Sequence, residues 1–222
     1  GNFMIRQHVV RGVSAPVAVG LLLLLGCSGK GDIIPMNLTP KMQTDTTSAV
    51  QMVKPMAGPR VMVIPFEDGR PDRTKVGSRS SMWGGDTYFN VSSGSAGEET
   101  AQAFADYLKR KGWQAQYAKT APAASEAGPD VVLSGKILEL AVDARRGVFL
   151  TDIEARTKLV IQASNREDNS SLVRTDAHSG SHDNVLWFEP QDGESILSEV
   201  LEKNFERFVV NTKFEDRGIR FR

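Results

Sequence analysis

The chain has 222 residues, 27 Lys and Arg against 27 Asp and Glu, and 40% hydrophobic residues. Balanced charge excludes the basic excess that draws a domain to nucleic acid, and no polybasic cluster beside an apolar run marks a headgroup-binding segment. Cys27 is the only cysteine, which excludes an internal disulfide.

The chain opens with a basic stretch around Arg6 and Arg11, followed by an apolar run from Val13 to Leu25 that contains five consecutive leucines. The run is shorter than the roughly 20 residues a membrane span needs. It is apolar all round rather than striped like an amphipathic helix, and this fits a removable export signal. Leu24-Leu25-Gly26-Cys27 closes it and resembles a bacterial lipobox, in which a small residue precedes the cysteine that becomes lipidated. Leu25 departs from the smaller or β-branched residue usual there. The resemblance implies a lipoprotein signal peptide over residues 1–26 and cleavage before Cys27. It also implies a covalent diacylglycerol and N-acyl chain on Cys27, with no other cofactor expected. Such an anchor holds through about 0.8 kcal/mol per buried CH₂. Ser28, in place of the Asp that favours inner-membrane retention, points to the outer membrane with the protein facing the periplasm.

Residues 27–59 are expected to be the lipidated cysteine and a flexible linker. Pro35, Pro40, Pro55 and Pro59 interrupt a stretch rich in Gly, Thr, Ser and Met, and a coil of that length reaches about 30 Å. Residues 60–222 are expected to form one domain. Val61 to Phe66 is a short apolar run bounded by Pro59 and Asp68-Gly69 and predicts a buried strand. Glu67 to Gly94, studded with Gly and Ser, predicts a long irregular loop. Ser95 with Glu98 forms a capping-box pattern ahead of Ala101, Phe104, Ala105 and Leu108, which predicts a helix stopped by Gly112. Trp113 to Tyr117 follows as a strand.

Asp130–Asp143 and Thr151–Ser164 predict the two arms of a hairpin. In the second arm Ile153, Ala155, Thr157, Leu159, Ile161 and Ala163 alternate with polar residues, which implies one packed and one wet face. A phase change in the first arm predicts a bulge at Ser134-Gly135. Leu172 to Gly180 adds a strand. A closing helix from an Asp192 cap to Val210 carries Ile196, Leu197, Val200, Leu201, Phe205 and Phe208 on one face. These elements predict an α+β domain, an antiparallel sheet of about four to five strands with two helices packed on one face.

Several features together resemble the YajG-type bacterial lipoproteins: the lipobox, Asp68-Gly69-Arg70-Pro71-Asp72 after a first strand, a helix ending near Gly112-Trp113, the hairpin from Val131 to Ala163, and the closing segment Ser195 to Leu201. The Gly/Ser-rich loop from Lys75 to Gly94 departs from that family's shorter members. The resemblance implies location and fold but no reaction.

Residues that could carry chemistry are few. His8 lies in the signal, and His178 and His182, four residues apart on a strand, would be about 13 Å apart, too far to share one ion. Ser92 to Gly97 lacks a nucleophile-elbow pattern, and Gly84-Gly85-Asp86 lacks a following Gly-Lys-Ser/Thr. The chain is therefore expected to be non-catalytic, with no metal site. Pro71 restricts Arg70 to extended geometry. Asp68, Arg70 and Asp72, with Trp83, Tyr88 and Phe89 in the same loop, are the expected contact surface for an envelope protein partner. The alternative for the first set is a structural turn in which Arg70 pairs with a neighbouring carboxylate. The expectation from sequence is a lipid-anchored binding or assembly and transport accessory, with an envelope hydrolase or small-ligand carrier as the alternative.

Overall fold

A computed structural model describes residues 32–38, 58–80, 85–121 and 128–222, without the side chains of residues 183 and 184. Leu24, Leu25, Gly26, Cys27 and Trp83 lie outside the described residues. Within them the elements run Ile33–Met36 (β1), Arg60–Val63 (β2), Glu67–Asp68 (β3), Gly77–Ser80 (β4), Asp86–Val91 (β5), Ala96–Arg110 (α1), Gln114–Tyr117 (β6), Val131–Arg146 (β7), Thr151–Asn165 (β8), Ser171–Val185 (β9), Pro190–Val210 (α2), Thr212–Glu215 (β10) and Gly218–Phe221 (β11).

The alternation in β8 becomes burial of every second residue from Thr151 to Asn165, on the face that meets the helices. β7 pairs antiparallel with β8 along its whole length, and β8 pairs in the same way with β9. On its other edge β7 carries three short strands in succession, all parallel to it. β2 lies against Val131–Leu133, β3 against Lys136–Ile137 and β4 against Val142–Arg145. β6 extends the sheet beyond β2, while β5 and then β1 extend it beyond β4.

The sheet therefore has nine strands and mixed pairing, which overturns the expected antiparallel sheet of four to five strands. Two-to-four-residue strands have no room for a period-2 signature, and Gly and Ser disguise β4. The long loop expected over 67–94 holds β3, β4 and β5. Part of the expected linker is also folded: β1 joins β5, and Met36 and Leu38 are fully buried. The bulge falls between Ile137 and Glu139 rather than at Ser134-Gly135. Gly135 serves a different purpose, since a Cβ there would lie 2.4 Å from the Val160 carbonyl oxygen. Gly77 likewise lets β4 approach β7, where a Cβ would meet the Val142 oxygen at 1.7 Å.

α1 begins as its cap predicts, with Ser95 Oγ accepting from the Glu98 amide at 3.3 Å. The acid that ties the helix start to its surroundings is the neighbouring Glu99. Its buried carboxylate accepts from the amides of Ser93 (2.7 Å) and Leu38 (3.1 Å) and from Ser92 Oγ (3.0 Å), so it fastens β1's end to α1. α2 is capped three residues earlier than expected, with Glu189 as N-cap and Asp192 completing a capping box. The helices meet through Phe104, which stacks on Phe205 at 4.6 Å and contacts Phe208 edge-on at 5.7 Å. Beyond the last element expected from sequence, Thr212–Glu215 and Gly218–Phe221 form the β10–β11 hairpin. Asn165 binds it by accepting from the Ile219 amide (2.8 Å) and donating to the Ile219 carbonyl (3.0 Å).

The start of α1 touches the chain between β2 and β3. The Gly97 carbonyl accepts from the Phe66 amide at 3.1 Å, and a Cβ on Gly97 would lie 2.0 Å from the Phe66 oxygen. Gly97→Ala is therefore expected to lower stability by about 2 kcal/mol despite alanine's better helix propensity. Urea unfolding checks this, and a more stable variant would contradict the packing.

Candidate functional site

β3 is strapped to β7, and the Gly69 amide donates to the Ile137 carbonyl at 2.9 Å. This turns the chain so that Arg70 folds back over Asp68. The guanidinium, only 5% exposed, forms a two-pronged pair with the carboxylate: Nε to Oδ1 at 2.9 Å and Nη2 to Oδ2 at 2.8 Å. Its Nη1 donates to the Lys75 carbonyl at 2.9 Å. Burial alone would raise the Asp68 pKa, but the hydrogen bonds from Arg70 and the charges of Arg70 and Arg73 leave it lowered. Asp72 accepts from the amide and hydroxyl of Thr74. Asp68, Arg70 and Asp72 thus brace the path from β3 to β4 and are turned toward their own loop.

The aromatic residues expected beside them divide. Phe89 is fully buried in β5 and packs on Phe188 at 5.4 Å between ring centres. Tyr88 is half-buried beneath the Lys75 ammonium, 4.6 Å from the ring centre. Trp83 lies outside the described residues. The expected loop residues are therefore not gathered into one exposed contact surface among the described residues.

The exposed apolar surface lies elsewhere. Five large hydrophobic side chains are exposed at one end of the sheet: Val148, Phe149, Leu150, Leu186 and Trp187. The turn joining β7 to β8, closed by the Gly147 amide donating to the Leu150 carbonyl at 2.8 Å, holds Val148 (74% exposed) and Phe149 (85%) at its point. Thr151 pairs with Val185, so Leu186 and Trp187 (75% exposed) emerge beside that turn. The Arg146 guanidinium lies 5.7 Å from the Trp187 ring centre. This tip is not among the contact residues expected from sequence, although three consecutive apolar residues in a hairpin turn, where polar residues are the rule, are its signal.

At the opposite end Asp130 accepts from the Arg60 amide (2.8 Å) and from Arg217 Nη2 (2.7 Å), lining a cleft with Arg166 and Glu167. His178 faces α2 with its Nε2 buried and making no hydrogen bond to another described residue. His182 lies 3.8 Å from the Glu199 carboxylate. Burial lowers the His178 pKa, aided by Arg207, Lys203 and Arg174 and opposed by Asp176. Among the described residues no helix is long and apolar enough to cross a membrane.

No protein-family model matches the chain, and no curated protein matches it. Solved structures similar to it include a Xanthomonas campestris protein of the DUF330 family, at 11% identity and a TM-score of 0.42, covering 80% of this chain and 91% of that one. Lipoprotein GNA1162 from Neisseria meningitidis is similar at 13% identity and a TM-score of 0.34, covering 68% and 97%. PelC from Paraburkholderia phytofirmans, solved as a dodecamer, is similar at 16% identity and a TM-score of 0.36, covering 65% and 85%. Likenesses of this size assign this chain neither a function nor a partner.

Two titrations follow from the site geometry. Asp68→Asn strands the Arg70 guanidinium without a counter-charge, and the expected loss is about 3 kcal/mol. Because the folded pKa of Asp68 is lowered, its contribution is complete above pH about 4 and disappears as pH falls through the folded value. The variant should lack that part of the acid limb in urea midpoints measured against pH. His178 works through the opposite protonation state, being held neutral. The unfolded chain takes up the proton first, so stability should fall as pH drops below about 6.5, and His178→Leu should flatten that slope.

Proposed function

We propose that this chain is an exported envelope lipoprotein, acylated at Cys27, whose folded unit acts in the periplasm as a non-catalytic binding or assembly accessory. The observation that carries the reading is the apolar run ending in Leu24-Leu25-Gly26-Cys27, with β1, the first strand among the described residues, beginning six residues after the cysteine. Ser28 supports placement at the outer membrane. The finer assignment to the YajG-type lipoproteins belongs to the same proposal and rests on the motifs and element order described above.

The packing supports binding at the surface over an enclosed carrier cavity. Phe104, Phe205, Phe208 and Leu159 are buried between helices and sheet, and Ser95 Oγ is engaged in capping. Among the described residues the side chains at the apolar end of the sheet stay exposed, and a surface of this kind suits contact with a partner. Cells fed radiolabelled palmitate should label the wild-type protein and leave Cys27→Ser unlabelled and uncleaved. Equal labelling of the two proteins would contradict the anchor.

A further inference from the structure

β1 runs parallel to β5, and β5 runs antiparallel to β4, which is itself parallel to β7. Following the register across these strands sets Ile33 level with Tyr88, Ser78 and Asp143. The chain thus enters the sheet heading away from the β7–β8 turn. Asp32, the described residue that precedes β1, therefore lies on the side of Ile33 nearer to Val148, Phe149, Leu186 and Trp187.

The lengths involved are closely matched. Cys27 is five residues before Asp32, a segment that spans at most about 18 Å when fully extended. The β7–β8 turn projects roughly 15 Å beyond the level of Asp32 by strand rise. With Cys27 held at a bilayer surface and the strands upright, the tether cannot lift the turn more than a few ångströms clear of the lipid. At a tether extension below about 15 Å the turn enters the lipid.

The chemistry of the tip suits that position. Phe149, Val148 and Leu186 offer apolar groups to the acyl boundary, while Trp187 is the amphipathic ring that favours the interface. Arg145 and Arg146 follow directly behind the turn, at the depth of lipid phosphates, and their long stems allow them to reach outward. Asp86 and Asp152 share the level of Arg145. Apolar contact, rather than net charge, therefore does the holding.

We infer that the Val148–Phe149–Leu150 turn, with Leu186 and Trp187, is a membrane-docking tip that inserts into the same phospholipid leaflet that carries the Cys27 anchor and stands the sheet upright on it. The inference rests on acylation of Cys27 and adds a second, non-covalent contact to it. An anchor plus a shallow apolar insertion gives a fixed orientation that an acyl tether alone does not.

The test uses the full acylated chain reconstituted into phosphatidylethanolamine–phosphatidylglycerol vesicles. Val148→Cys and, at the opposite end of β8, Glu167→Cys are each labelled with an environment-sensitive fluorophore, and quenching by nitroxide-bearing lipid is read. The label at 148 should be quenched about threefold or more over that at 167, and Phe149→Ser with Trp187→Ser should abolish the difference. Equal quenching at both positions, in protein that floats with the vesicles, would overturn the tip. So would crosslinking between copies through residue 148 without quenching. Wild-type protein that accepts the thiol label at Cys27 would show the anchor itself absent, and would overturn this inference by that separate route.

Discussion

Sixteen residues of β7 present amides and carbonyls on two edges, and in a packed sheet both rows need partners. β8 covers one row in a single antiparallel run. The other row is covered piecemeal by β2, β3 and β4, laid end to end as the chain returns along it. Because those segments follow one another in the same direction along β7, all three are parallel to it. The mixed character of the sheet follows from this one requirement. So do Gly77 and Gly135, placed where neighbouring backbones come too close for a side chain.

Short strands bring little apolar surface, and three charged groups supply what they lack. Arg70 with Asp68 holds the passage from β3 to β4, Glu99 gathers three donors from β1's end and the β5–α1 loop, and Asp130 joins the first residue of β2 to the β10–β11 turn. Each places a carboxylate where backbone amides or a guanidinium would otherwise lack a partner in a partly buried setting. The motif Asp68-Gly69-Arg70-Pro71-Asp72, for which the sequence offers a recognition edge or a structural turn with Arg70 paired to a carboxylate, holds such an Arg70–Asp68 pair and is one of these braces.

What was legible in the sequence was whatever repeats. The alternation from Ile153 to Ala163, the stripe from Ile196 to Phe208 and the Ser95 cap announced β8, α2 and α1 nearly to the residue. β3 and β4 were hidden because two to four residues cannot show a period, and because their pairing is decided by the distant β7 edge rather than by their own composition. β1 was masked by Pro35, which an edge strand tolerates. Phe89 read as a loop aromatic for the same reason: without β5 there was no inward face to assign it to. The tip was visible as Val148-Phe149-Leu150 between two arms, but its importance depends on Leu186 and Trp187 arriving beside it, and only the β8–β9 register brings them there.

The sheet thus has two unlike ends. Arg60, Asp130, Arg166 and Arg217 make one of them polar, while the other holds the exposed apolar turn and is the end that the start of β1 faces. That shared end is the central claim, and pulsed dipolar distances between spin labels on the full chain measure it directly. Strand spacing and rise give about 25 Å between positions 32 and 148, against about 45 Å between positions 32 and 167. A 32–148 distance equal to or longer than the 32–167 distance would contradict the account.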